Sequence, residues 1–94
     1  DKDVVETMLN ICEGYIKIKE IEKCEKVLEE IRSLIDETNI EQVIEQNLFW
    51  YRAYIIKEMQ DEAENILLET FNLAKANGLY KKMAELSIIL NRQF

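Results

Sequence analysis

The sequence predicts an all-α fold, a single domain over residues 1–94 in which amphipathic helices pair into stacked hairpins. Three observations support this prediction. Apolar residues recur at steps of three and four along almost the whole chain, as on one buried helical face. The chain has two Gly and no Pro, whereas a β-sandwich needs a turn signal about every 8–12 residues. Core positions also recur after 39 residues, which indicates a repeated helical unit.

Two apolar stripes predict the first two helices. The first stripe comprises Val5, Met8, Ile11, Cys12 and Tyr15. The second stripe follows steps of 3, 4, 3 and 4 and comprises Ile21, Cys24, Leu28, Ile31 and Ile35. We place a break near residues 18–20, where neither Gly nor Pro stands, because the repeat requires one.

Three further helices are predicted over residues 40–57, 61–76 and 80–92. Asn39 with Gln42 resembles a capping box, and Asp61 with Glu64 repeats that arrangement. Gly78 ends the fourth helix, because glycine accepts the left-handed conformation without a steric penalty. The inward residues of the fourth helix are expected to be Ala63, Ile66, Leu67, Thr70, Phe71 and Ala74, and those of the fifth Met83, Leu86 and Leu90.

One continuous helix is the competing architecture. A coiled coil needs apolar heptads that continue along the chain, and the run Leu48-Phe49-Trp50-Tyr51 interrupts them. The stop at Asn77-Gly78 interrupts them again. A packed bundle or solenoid is therefore favoured.

The internal repeat predicts which kind of solenoid this is. A shift of 39 residues aligns Cys12 with Tyr51, Tyr15 with Tyr54, Cys24 with Ala63, Leu28 with Leu67, and Ile31 with Thr70. A shift of 36 aligns Met83, Leu86, Ser87 and Leu90 with Asn47, Trp50, Tyr51 and Tyr54. On these residues the chain resembles the tetratricopeptide repeat (TPR) family, whose unit is a helical hairpin. The resemblance implies an α-solenoid of about two and a half repeats and five helices.

Two departures from the TPR pattern carry expectations. Tyr51 fills a position that the family usually keeps small, so the second hairpin is expected to open wider. The 39-residue spacing exceeds the family's 34, which implies longer second helices. Stretched repeats of this kind resemble those of peptide-sensing bacterial regulators, in which a solenoid follows a helix-turn-helix domain. Because the helical pattern is already under way at Asp1, we expect the chain to be a fragment of a larger protein.

Composition argues against several classes of function. The net charge of −7 argues against nucleic-acid contact, which depends on clustered Lys and Arg. With no His and only two Cys, the chain lacks the ligands of a zinc site. It also shows no combination of a nucleophile, a base and an oxyanion donor, so the sequence does not predict an enzyme. No cofactor is expected. No apolar run approaches the roughly 20 residues that span a membrane, and no signal peptide is evident. A reduced, cytoplasmic setting is the expectation.

The resemblance implies a binding surface on the concave side of the solenoid, where stacked helix pairs hold extended peptide or protein partners. We expect Arg52 on the groove wall, positioned to clamp a carboxylate or a carbonyl, with Phe49 and Ile56 either in the core or in a hydrophobic groove. A solvated face without a ligand is the alternative. The predicted concave residues are Asn10, Glu13, Lys17, Phe49, Arg52, Ile56, Lys81, Glu85 and Ile88.

Two further expectations concern the cysteines and the end of the solenoid. The resemblance implies that Cys12 and Cys24 lie side by side between paired helices. They are expected to act there as small hydrophobes, with a redox role as the alternative. The third repeat lacks its second helix, so the fifth helix could instead pair with another copy through Met83, Leu86 and Leu90.

Overall fold

The structure is a computed structural model that describes the backbone of residues 2–93 and the side chains of residues 4–93. The described residues form five α-helices and no strand, as predicted. The longest dimension of the chain is 31 Å, whereas one continuous helix would extend about 140 Å. The helices are α1 (Lys2–Lys17), α2 (Ile21–Leu34), α3 (Ile40–Ile56), α4 (Gln60–Ala76) and α5 (Tyr80–Gln93).

The helices pack as successive hairpins. Helices α1 and α2 form the first hairpin, α3 and α4 form the second, and α5 packs against α4 as the next helix along. Helix α3 contacts both helices of the first hairpin. Within the described residues, no Cα atom of α5 lies within 8 Å of one in α3, and the same holds for α2 and α4. Each of these two gaps contains an opening at the surface.

The turns inside the two hairpins share one backbone geometry. Lys19 and Glu58, which are 39 residues apart, have φ values of 61° and 60°. The residue that follows each of them donates its backbone N–H over 2.8 Å to the carbonyl of Tyr15 or Tyr54. This left-handed residue ends each first helix, so the break near residues 18–20 is confirmed without a Gly or a Pro. At the end of α4, Gly78 adopts the same conformation with φ 68°, as predicted.

Of the two capping boxes predicted at helix N-termini, the structure bears out the N-cap of the first but not the second. Asn39 is the N-cap of α3, where its Oδ1 accepts a hydrogen bond from the backbone N–H of Gln42 over 3.3 Å. The capping box proposed at Asp61 and Glu64 is wrong. Helix α4 begins at Gln60 with Met59 as its N-cap, because the turn through Glu58 leads directly into the helix. Asp61 lies in the first turn of α4, where its negative charge interacts favourably with the helix dipole.

The repeated interior positions lie in equivalent surroundings. Leu28 and Leu67 are both fully buried, as are Cys24 and Ala63, and Ile31 and Thr70. Tyr15 and Tyr54 are both half-buried and both pack against the first core cluster. That cluster joins both helices of the first hairpin to Trp50 of α3, and a second cluster joins α3, α4 and α5. The fifth aligned pair differs, because Cys12 is fully buried and Tyr51 is half-buried. The packing is therefore consistent with an arrangement of helical hairpins.

The inward face of α1 differs in part from the prediction. Ile11 is 44% exposed, whereas Leu9 and Ile16, which were not assigned to the core, are 3% and 7% exposed. The repeat supplies the reason, because Ile11 corresponds to Trp50. Trp50 is buried against the preceding hairpin. No other described element covers the corresponding side of α1.

The two expectations drawn from the TPR departures need correction. Tyr51 does not open the second hairpin: α3 and α4 pack at least as extensively as α1 and α2, and Tyr51 packs against the second cluster, which joins α3, α4 and α5. The gap lies instead between α3 and α5. Of the second helices, α4 has 17 residues but α2 has only 14, so the added spacing also lengthens the loop before α3.

The residues proposed for pairing with another copy lie on the inward face of α5. Leu86 is 1% exposed, and Met83 and Leu90 pack against the second cluster. This stripe is therefore already covered by α3 and α4. The large apolar residues that α5 does expose are Tyr80, at 75%, and Ile88, at 54%.

Candidate functional site

The predicted concave residues lie on α1, α3 and α5, which form the first-helix face of the molecule. They separate into two places and several isolated positions. Arg52 contacts both Glu13 and Phe49 where α1 meets α3. Lys81 and Glu85 line a pocket between α3 and α5. Asn10, Lys17, Ile56 and Ile88 are exposed, and none of them lines the α3–α5 pocket or the opening between α2 and α4.

Arg52 lies on the wall of this face, but the carboxylate that it clamps belongs to the chain itself. Its Nη1 and Nη2 donate to Oε1 and Oε2 of Glu13 over 3.0 and 2.8 Å, a bidentate ion pair across α1 and α3. The hydrogen bonds from Arg52 lower the pKa of Glu13, and those to Glu13 raise the pKa of Arg52. The guanidinium also lies 5.3 Å from the ring centre of Phe49. Its predicted role as a ligand clamp is thus taken by an internal partner.

The α3–α5 pocket lies nearer the start of α3 and has a volume of about 450 Å³. Ile44, which is 2% exposed, and Leu79 supply its apolar surface. Lys82 donates to Glu85 over 3.1 Å at its edge. The pocket lies between the starts of the two helices and is lined by Glu41, Ile44, Glu45, Leu79, Tyr80, Lys81, Lys82 and Glu85.

Charge in the α3–α5 pocket is only partly paired. Among the described residues, Glu41, Glu45 and Lys81 form no ion pair. Tyr80 adds an aromatic ring that is 75% exposed at the rim. A side chain with an apolar stem and a cationic end would meet an apolar floor and two available carboxylates here.

A second opening, the α2–α4 cleft, lies on the other side of α3 and has a volume of about 670 Å³. Its polar lining residues are Arg32, Glu37, Gln46, Asn47, Glu69 and Asn72. Its apolar lining residues are Ile35, Val43, Ile66 and Leu73. The residues of α3 that line the cleft alternate along the helix with those that line the α3–α5 pocket, so the two sites occupy opposite helical faces.

The floor of the α2–α4 cleft holds an unsatisfied polar group. Gln46 is 6% exposed, and its Oε1 accepts no hydrogen bond from the described residues. The buried Nε1 of Trp50 likewise lacks a partner among them. The Arg32 guanidinium lies 4.8 Å from the Trp50 ring centre. Buried polar groups are nearly always hydrogen-bonded, so the unpaired Oε1 of Gln46 is an exception within this fold.

Sequence analysis missed this cleft, although the sequence carried one signal for it. Gln46 stands at helical spacing from Trp50 and Ala53, which are buried, and from Val43, which is half-buried. An amide in the middle of an apolar stripe has to find a hydrogen-bond partner or remain unsatisfied. The α3–α5 pocket was anticipated only through Lys81 and Glu85.

The cysteines are packed as predicted. Cys12 and Cys24 are both fully buried, and the Cys12 sulfur lies 3.9 Å from the Cys24 carbonyl oxygen. Burial raises the pKa of Cys12 to about 12, with the neighbouring Cys24 adding to the effect, and burial also raises the pKa of Cys24. Both thiols stay protonated at neutral pH, which favours the small-hydrophobe interpretation over a reactive thiol.

Two other structural features are absent from the part of the chain that the structure describes. No group of three or more Cys, Asp or Glu side chains in that part is arranged to hold a metal ion. None of the helices within residues 2–93 combines the length and the apolar character needed to cross a membrane.

Comparisons with known proteins complete this description. No known protein family, curated protein or solved structure matches the chain at a significant level.

Proposed function

We propose that the chain is a TPR-like scaffold that binds a peptide or protein segment on its first-helix face. The observation that carries this proposal is the α3–α5 pocket, which lies among residues assigned to that face and includes Lys81 and Glu85. Short interhelical grooves with an apolar floor and a few polar groups are the usual form of such sites. The ion pair between Glu13 and Arg52 closes the neighbouring part of the face, so the α3–α5 pocket is the primary anchor point.

The chemistry of the pocket favours a basic anchor on the partner. A Lys or Arg side chain would lay its stem on Ile44 and Leu79 and direct its cation toward Glu41 and Glu45. The net charge of −7 adds a general attraction for a basic segment. The pocket floor supplies the apolar contact in this proposal, because Phe49 already packs against the first cluster and Arg52.

The experiment is a selection of a random dodecapeptide phage library on the immobilised protein. We expect enriched clones to carry Lys or Arg next to apolar residues. Their synthetic peptides should bind the Glu41→Gln/Glu45→Gln variant at least tenfold more weakly, because the variant removes both carboxylates. The matched control is Glu22→Gln/Glu30→Gln, which removes the same charge from exposed positions of α2.

Two results would count against the proposal. The first is a selection that enriches no sequence. The second is a set of peptides that bind the wild-type protein and the Glu41→Gln/Glu45→Gln variant equally well, because the pocket would then contribute nothing.

The larger role follows from the resemblance stated above. We place the scaffold in the sensing part of a bacterial transcriptional regulator, because its 39-residue repeat resembles that of peptide-sensing regulators. The test is the sequence of the full gene product. A helix-turn-helix domain before residue 1 supports this role, and an unrelated domain there contradicts it.

A further inference from the structure

We infer that the α2–α4 cleft is a second ligand site, separate from the first-helix face, that takes an extended peptide segment carrying an aliphatic residue beside a basic one. This inference stands independently of the function proposed above, because the two sites share no lining residue and occupy opposite faces of α3.

The first step of the argument is the orphaned amide on the floor. Gln46 is more than nine-tenths buried and lines the cleft, yet its Oε1 accepts no hydrogen bond from the described residues. The unsatisfied atom is an acceptor, so the group that completes it is a donor. A backbone N–H of a peptide is a neutral donor, which suits a floor position without a counter-charge.

The second step is the shape and chemistry of the walls. The volume of about 670 Å³ lies within the roughly 300–1,000 Å³ typical of ligand pockets. Asn47 and Asn72 each offer an amide donor and an acceptor, which match the alternating groups of an extended peptide backbone. Ile35 and Ile66 give an aliphatic side chain an apolar surface on either wall.

The third step is charge complementarity, which selects the basic neighbour. Glu37 and Glu69 line the cleft, and neither forms an ion pair with a described residue. The cation in the lining, Arg32, lies over the Trp50 ring and 3.6 Å from Glu29. The two available carboxylates therefore favour a positively charged partner group.

The experiment begins with the Glu41→Gln/Glu45→Gln variant, in which the α3–α5 pocket is disabled. A random heptapeptide phage library is selected on this protein, and the enriched peptides are titrated into the ¹⁵N-labelled variant. We expect the side-chain amide signals of Gln46, Asn47 and Asn72 to shift. Adding Gln46→Leu should weaken binding at least tenfold, because the acceptor for the peptide N–H is removed.

A stability measurement separates a ligand role from a structural one. If Oε1 of Gln46 is unsatisfied in the free protein, Gln46→Leu in the wild-type chain should raise the melting temperature by about 4 °C or more, because an unpaired buried amide is replaced by an apolar group of similar size. The matched control is Gln60→Leu, which changes an exposed glutamine at the start of α4 and should leave both the melting temperature and peptide binding unchanged.

Each contrary outcome overturns the inference. A fall in the melting temperature of Gln46→Leu would show that the amide has a structural partner. Peptides that bind Gln46→Leu as well as the parent, or that shift signals of α5 instead of Asn47 and Asn72, would place binding elsewhere. If the peptide-free protein is a dimer in light scattering and Asn72 lies at the dimer interface, the cleft is occupied by a second copy of the chain. If the selection enriches no peptide, the inference that the cleft binds a peptide is also rejected.

Discussion

The two places where one hairpin meets the next helix differ, although the hairpins themselves repeat. At the first junction, between α1 and α3, the helices pack directly and the ion pair of Glu13 and Arg52 bridges them. At the second junction, between α3 and α5, the helices stand apart and the α3–α5 pocket lies between them. The buried positions of the first hairpin recur in the second, whereas the distance between neighbouring first helices differs between the two junctions.

The side chains at equivalent positions account for this difference. Arg52 reaches back to Glu13 at the first junction, but its counterpart in α5, at a shift of 36 residues, is Ile88, which is 54% exposed. At the position beside the paired helix, the first hairpin has the small Cys12, whereas the second has the larger Tyr51, which packs against the second cluster. Buried repeat positions thus define the hairpin, and a few junction residues define whether a site opens.

The equivalence of the two interiors is tested by Leu28→Ala and Leu67→Ala. Both leucines are fully buried, so each variant should lose about 2–5 kcal/mol of unfolding free energy, and the two losses should be similar. Urea denaturation followed by circular dichroism measures them. A loss below about 1 kcal/mol at one position, with a large loss at the other, would show that the packing does not repeat.

The role of Tyr51 at the second junction is tested by Tyr51→Cys, which installs the residue found at the equivalent position of the first hairpin. We expect a loss of about 1–3 kcal/mol, smaller than for a cavity that cannot relax, because α5 can move into the vacated space. A crystal structure of the variant should show α5 closer to α3 and the α3–α5 pocket narrowed. An unchanged gap would mean that Tyr51 does not hold the second junction open.

Much of the fold followed from the sequence because it depends on residues that are close together along the chain. The 3–4 spacing gave the helices, and the 39-residue shift gave the hairpins, including the turn at Lys19 that no Gly or Pro marks. The cap at Asp61 was wrong for a local reason, since the preceding left-handed residue had already set the start of α4 at Gln60.

The sites followed less well because they depend on contacts between distant residues. The helical positions of Glu13 and Arg52 were predicted to share a face, but spacing alone does not reveal that the two side chains satisfy each other. Nor does it reveal that α5 stands off from α3. The cleft around Gln46 needed the packing of α2 and α4 on α3 before its unsatisfied oxygen became visible.

The ion pair at the first junction is tested by a double-mutant cycle of Glu13→Gln and Arg52→Gln. Both side chains remain about two-fifths exposed, so we expect a coupling energy of no more than about 1 kcal/mol near neutral pH. The pKa of Glu13 is lowered in the folded state by the hydrogen bonds from Arg52. The coupling should therefore be fully present above the ordinary carboxyl pKa and be lost as the pH falls through the lower folded value.

Unfolding measured at neutral and at acidic pH checks the sign of that dependence. A coupling that persists or grows in acid would contradict the assigned pair. A coupling near zero at both pH values would mean that solvent screening removes its contribution. The first junction would then be held by the apolar packing of the first cluster, in which Trp50 of α3 is buried with residues of α1.

The smallest expected effect concerns the hairpin turns, where the two hairpins are most alike. Lys19→Gly and Glu58→Gly should each raise the unfolding free energy by about 0.5 kcal/mol, because glycine adopts a positive φ without strain but loses more backbone entropy on folding. Gly78→Ala is the control of opposite sign. No atom lies within 4 Å of the added Cβ, so its φ of 68° should make the variant less stable through backbone strain alone. Urea denaturation of the three variants decides the matter, since a destabilised Lys19→Gly or Glu58→Gly would mean that the side chain contributes more to its turn than the left-handed backbone costs.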